Sequence, residues 1–160
     1  MRKDNLFHVM IATGFGSGFS PFAPGTMGAI LAVGIWGLVY FFLPAYLFCI
    51  TFGLIVVFTI LGIWSTNVLE PLWGEDPSRI VVDEMVGVWI PLLCVTDNTS
   101  TYNYLYILLA FILFRLLDIF KPLGIRKMED LKGGLGVMGD DILAGVYSLV
   151  ILWGLKWWIG

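Results

Sequence analysis

Five apolar runs constrain what this chain can become. They cover residues 27–43, 45–64, 80–95, 102–120 and 141–158, each close to the ~17–25 residues that carry a helix across a bilayer. In hydrocarbon every backbone N–H and C=O must be paired, which favours helices and excludes open sheets. The expected fold class is therefore all-α, an integral membrane helical bundle of about five spans. The third run is the irregular one. Only residues 85–95 of it are free of charge, so it spans only if Asp83 and Glu84 lie at or just below the membrane surface.

Composition agrees. Of 160 residues, 59% are hydrophobic and 13% charged, where a soluble domain carries about 25% charged residues; mean hydropathy is +0.90. The spans use nearly the whole chain, so one domain over residues 1–160 is expected. A net charge of −3 without a basic stripe argues against a nucleic acid partner. Cys49 and Cys94 stand alone in apolar runs, without metal-ligand or disulfide spacing; they read as lipid-facing or packing residues. The start "MRKDNLFHVMIATGFG" has a basic head, but its short apolar stretch dissolves into glycines, so no cleavable signal peptide is expected.

The connections set a topology. "LPA" joins the first two runs into a tight antiparallel pair, "TDNTSTYN" joins the third and fourth, and the longer connections are "STNVLEPLWGEDPSR" and "KPLGIRKMEDLKGGLGVMGD". Five spans put the longer loops and the N-terminal segment on one face. Arg2, Lys3, Arg79, Arg115, Lys121, Arg126, Lys127 and Lys132 fall on or near that face and Lys156 approaches the other. Positive charge concentrates on the cytoplasmic side, so the first face is expected in the cytoplasm, with Trp153, Trp157 and Trp158 anchoring the far end. "TGFGSGFSPFAPGTMGA" holds too many glycines for a regular helix and reads as a loop, able to re-enter the membrane, that feeds the first span.

On this layout Asp83, Glu84, Asp118, Asp140 and Asp141 all converge on one set of span ends. Ionisable groups at such depths are costly and usually serve a pathway or a site. Helix capping would account for Asp83, Glu84, Asp140 and Asp141 without chemistry. It fails for Asp118, placed at a helix C-terminus where the dipole disfavours an anion. Arg115 and Asp118 share a helix face, with Lys121 following before Pro122 ends the helix; this is either a structural ion pair or a phosphate clamp beside a metal ligand. Gly87, Ala144 and Gly145, each four residues after one of the acids, allow close helix approach.

Clustered carboxylates require protons or a cation, since two unit charges ~4 Å apart repel by about 4 kcal/mol at an effective dielectric of 20. Oxygen-only ligands favour a hard divalent ion, and Mg²⁺ binds through carboxylates together with substrate phosphates. Arg115, Lys121 and Arg126 supply complementary charge, and the glycine-rich loop, at Gly25 and Thr26, can offer backbone N–H groups to phosphate oxygens. That loop lacks the Lys-Ser/Thr of a nucleotide-binding P-loop, and close packing explains its glycines as well as phosphate contact does. His8, the one histidine, reads as an interfacial side chain, so a two-histidine phosphatase is excluded. Metal-assisted attack by water or by a carboxylate remains.

"FGSGFSPFAPGTMGA", "IVVDEMVGVWI", "FRLLDIFKPLGI" and "GGLGVMGDDILAG" resemble, in that order, the sequence blocks of the bacterial phosphatidylglycerophosphatase A family. The resemblance covers nearly the whole chain. It implies a Mg²⁺-requiring enzyme of the cytoplasmic membrane that converts phosphatidylglycerophosphate to phosphatidylglycerol. It puts forward Asp83, Glu84, Asp118, Asp140 and Asp141 as metal ligands, with Asp83, Glu84 and Asp118 catalytic, and Arg115, Lys121 and Arg126 as phosphate binders. Ala29 departs from the family, where serine often follows "GTMG". The competing expectations are a cation transporter or channel subunit, which would place acids at several depths, and a non-catalytic interaction protein whose acids are caps.

Overall fold

The computed structural model describes residues 3–74, 77–95 and 102–159. Among these residues six α-helices follow one another: α1 (Lys3–Ala12), α2 (Pro24–Phe42), α3 (Leu47–Trp73), α4 (Val82–Leu92), α5 (Asn103–Phe120) and α6 (Gly134–Ile159), with no strand. All five apolar runs are helical. Four stretches, Pro24–Phe42, Pro44–Trp73, Asn103–Phe120 and Gly134–Trp158, are long and apolar enough to cross a membrane.

The third run has a different use. Its helix, α4, has 11 residues, a length of about 16 Å at 1.5 Å per residue, against a hydrocarbon core ~30 Å thick. Every residue of α4 except Glu84 is buried, and α2, α3, α5 and α6 all pack against it. A helix that is apolar all round is buried on every side. Here α4 is the core of the bundle, and the outer helices turn side chains such as Phe42, Ile60, Leu108 and Trp157 outward.

Small residues set how near α4 and α6 come. A Cβ on Gly145 would lie 2.5 Å from the Gly87 carbonyl oxygen, and one on Gly87 would enter the Phe114 ring and lie 3.0 Å from the Asp141 carbonyl oxygen. Ala144 is fully buried beside them. On the opposite side the Trp89 indole N–H donates to the Ala32 carbonyl at 2.9 Å, fastening α4 to α2. The acid-bearing ends of α4 and α6 are thus drawn together by backbone approach that larger residues would forbid.

Three boundaries differ from expectation. The second run does not end at residue 64: α3 continues to Trp73, through Pro71. Of its polar residues, Ser65 and Thr66 are buried, and Asn67, though exposed, accepts the Gly134 N–H at 2.7 Å through its side-chain oxygen. The helix of the fifth run, α6, starts at Gly134, not at Asp141, and Asn67 supplies from α3 an acceptor that its own N-terminus lacks. The N-terminal segment begins with a helix, α1, which packs on α3. His8, expected at the interface, is consequently buried, with its Nδ1 3.2 Å from the Ser65 hydroxyl and its ring edge-on to Trp64. Between α1 and α2 the glycine segment stays irregular apart from the turn Ser17–Phe19. Of the cysteines, Cys49 is exposed and Cys94 half-buried.

Candidate metal and phosphate site

The first turn of α4 presents Asp83 and Glu84, and the second turn of α6 presents Asp141. One carboxylate oxygen from each lies within 4.8 Å of the others. Asp83 Oδ1, Glu84 Oε2 and Asp141 Oδ2 are buried and have no hydrogen-bond partner. Leaving one buried polar atom unsatisfied costs about 1–3 kcal/mol, and more when it is charged. Three in one cluster fit a shared counter-charge, and an all-oxygen donor set fits a hard divalent cation. Helix-end effects reach only part of this set: Asp83 and Glu84 lie in the first turn of α4, whereas Asp140 and Asp141 stand beyond the first turn of α6, where the dipole's effect has faded.

The five expected acids divide into two sets. Asp118 is ion-paired to Arg115, whose Nη1 is 2.6 Å from Asp118 Oδ2 and 4.0 Å from Glu84 Oε1. Asp140 is ion-paired to Lys121 at 2.5 Å, and its other oxygen accepts the Asp141 backbone N–H at 3.0 Å. Asp83, Glu84 and Asp141 therefore form an inner cluster, and Asp118 and Asp140 hold the two cations at its rim. Arg115 is the residue that touches both sets. Arg126, also expected to bind phosphate, is exposed on the turn Ile125–Asp130.

Lys121 reaches Asp140 because the chain reverses at the end of α5. Lys121 itself takes the left-handed conformation there, φ 45°, which for a residue with a Cβ is disfavoured by about 1–2 kcal/mol. Glycine would relieve that strain but carries no ammonium group. Lys121→Gly should therefore leave the melting temperature in detergent unchanged or slightly raised while lowering whatever activity depends on this site about tenfold, the scale of a lost outer-shell partner. Loss of both folding and activity together would show that the residue is structural.

The glycine segment reaches the site through the start of α2. Pro24 opens the helix, its N-cap Ala23 makes no side-chain cap, and the N–H groups of Gly25 and Thr26 belong to the first turn, which has no intrahelical acceptors. The Glu84 carboxylate lies directly against Gly25, where a Cβ would sit, and Arg115 Nη1 is 3.5 Å from that same position. Gly25 is buried and Thr26 half-buried. An uncapped helix N-terminus is an anion site by construction, and this one abuts the carboxylates and the arginine. Sequence reasoning missed Asn67, which holds the start of α6 from α3; the signal was a polar residue among apolar ones at helical spacing, which resembled a loop.

Comparisons with known proteins place these residues in a family. The family described as phosphatidylglycerophosphatase A matches residues 10–156. The chain is 60% identical, over the full length of both, to a Bacteroides thetaiotaomicron protein whose name proposes a phosphatidylinositol-3-phosphatase. It is 38% identical to phosphatidylglycerophosphatase A of Escherichia coli, covering all of this chain and 90% of the relative. For phosphatidylglycerophosphatase A of Haemophilus influenzae the identity is 34%, over 94% of this chain and 89% of the relative. No solved structure matches the chain.

Proposed function

The chain belongs to the phosphatidylglycerophosphatase A family, and from that premise we propose that it is a Mg²⁺-dependent lipid phosphatase that hydrolyses phosphatidylglycerophosphate to phosphatidylglycerol and inorganic phosphate. The observation that carries this reading is the juxtaposition of three unsatisfied carboxylates, Asp83, Glu84 and Asp141, with Arg115 and the uncapped start of α2. One group needs a cation and the other suits a phosphate. An ion path would space its acids through the membrane; here they gather at one end of the bundle, which supports the enzyme over the transporter.

Asp83 and Asp141, with one oxygen of Glu84, would hold the metal. Mg²⁺ bound there would neutralise phosphoryl oxygens as charge develops on them. Arg115 and the Gly25 and Thr26 N–H groups orient the terminal phosphate, and Lys121 sets the rim through Asp140. Glu84, between Gly25 and Arg115, is placed to take a proton from the attacking water. As the water oxygen bonds to phosphorus, the bond to the glycerol oxygen breaks, and that oxygen leaves as the alcohol after gaining a proton. The lysines and arginines near this end support a site at the cytoplasmic surface of a bacterial inner membrane, by the positive-inside rule. There the headgroup is reached without extracting the lipid.

The 60% identical relative favours a second reading, in which the headgroup is phosphatidylinositol 3-phosphate. Both lipids are phosphomonoesters on a polyol headgroup. Phosphate release by purified protein from each lipid in mixed micelles, with Mg²⁺ or with excess chelator, separates the possibilities. The expected result is release from phosphatidylglycerophosphate that falls at least about tenfold on chelation. Release indifferent to chelator would overturn the metal assignment, and preference for the inositol lipid would reassign the substrate.

A further inference from the structure

The helices that carry the proposed phosphate-binding groups, α2 and α5, pack little on each other. Each of α2 and α5 packs more extensively on α4 than on the other. Between them lies a groove of about 260 Å³ lined by Ile30, Val33, Tyr104, Ile107, Leu108 and Phe111. Drug-sized ligands occupy ~300–1,000 Å³ pockets with several placed polar groups; this groove is smaller, and its walls are apolar and aromatic. Ile30, Leu108 and Tyr104 are well exposed along it, so it opens sideways toward lipid.

Its position along the helices is informative. Phe111 precedes Arg115 by four residues and Tyr104 precedes it by eleven, which at 1.5 Å per residue is about 6 to 16 Å of helix. On α2, Ile30 and Val33 follow Gly25 by five and eight residues, about 7 to 12 Å. Gly25 and Arg115 meet at Glu84, so both walls measure depth from one point. Half the hydrocarbon thickness is about 15 Å. The groove therefore covers the depth through which an acyl chain runs when its headgroup phosphate rests on Arg115 and the start of α2.

We propose that this groove between α2 and α5 receives an acyl chain of the lipid substrate and aligns the lipid so that its terminal phosphate meets Gly25, Thr26 and Arg115. The proposal rests on the lipid phosphatase reading, and it makes the groove a determinant of chain-length preference. Substrates with chains too short to fill it lose its contribution, whereas the reacting groups remain unchanged.

Val33→Trp fills the groove from α2 without touching the carboxylates. It should lower kcat/KM for dipalmitoyl phosphatidylglycerophosphate about tenfold, the effect of altering an apolar pocket, and leave that for the dihexanoyl lipid within about twofold. The retained short-chain activity reports that the variant folds. Equal losses on both substrates, or none, would overturn the proposal. A second measurement does not depend on turnover: phosphatidylglycerophosphate carrying a photoactivatable group midway along one acyl chain is crosslinked to the unaltered protein. Label confined to residues 30–33 and 104–111, displaced by unlabelled phosphatidylglycerophosphate but not by phosphatidylcholine, supports the groove. Label spread over the lipid-facing helices, or displaced equally by phosphatidylcholine, sinks it. Failure of the unaltered protein to release phosphate would refute the enzymatic reading instead, while the label still decides the groove.

Discussion

Replacing Glu84 by glutamine is expected to lower kcat/KM by about 10³-fold, within the range for loss of a positioned general base, with the fold retained. The side chain sits where every part of the site meets: one oxygen 4.0 Å from Arg115, the other buried without a partner, and the whole carboxylate against Gly25. Glutamine keeps the shape and removes the charge. In metal-free protein this relieves repulsion from Asp83 and Asp141, so the variant should melt no lower than the parent. A ligand that binds only the folded state raises stability by mass action; Mg²⁺ should accordingly raise the melting temperature of the parent more than that of Glu84→Gln. The pair of measurements, phosphate release and melting with and without Mg²⁺, is decisive. Undiminished turnover would remove Glu84 from the chemistry, and an unchanged response to Mg²⁺ would remove it from the metal site.

Gly25→Ala should cost about 100-fold in kcat/KM, the scale of a roughly 1 Å misplacement of a reacting group. The added methyl would occupy space held by the Glu84 carboxylate, so one of the two must move. The backbone itself gives no reason for glycine: α2 is a regular helix from Pro24 onward, and alanine is the better helix former by ~0.8–1.0 kcal/mol. Melting should therefore change little while activity collapses. Shortening the neighbour tests the cause, since Glu84→Asp in the Gly25→Ala background makes room for the methyl. Groups in contact couple and distant ones add, so the double variant should be less impaired than the sum of the two single losses. Strict additivity would show that the contact is not what matters.

Particular residues show what could be read from the chain and what could not. The convergence of Asp83, Glu84 and Asp141 followed from counting spans and assigning their directions, because helices of known length return acids in alternating loops to the same end. The close approach of α4 and α6 was visible in Gly87, Ala144 and Gly145. The separation of Asp118 and Asp140 from the inner cluster was not, because it depends on which oxygen meets Arg115 or Lys121, and on a left-handed turn at Lys121 that local sequence does not announce. The extension of α3 to Trp73 was hidden for a related reason. Ser65, Thr66 and Asn67 have the composition of a loop, and only the presence of α1 and α6 beside them makes a polar helix face favourable. His8 was misplaced because α1 gives no apolar stripe that would reveal its docking on α3.

The brevity of α4 has a consequence for how the protein is made. A segment of eleven residues that opens with two acids has neither the length nor the apolar margin to partition into lipid on its own. The four long helices can be committed to the bilayer one by one as they emerge. α4 can enter only when those helices already offer walls to receive it, with Trp89 finding Ala32 and Gly87 finding Gly145. Assembly of the bundle and formation of the proposed metal site are then a single late event, and a half-inserted chain lacks that site.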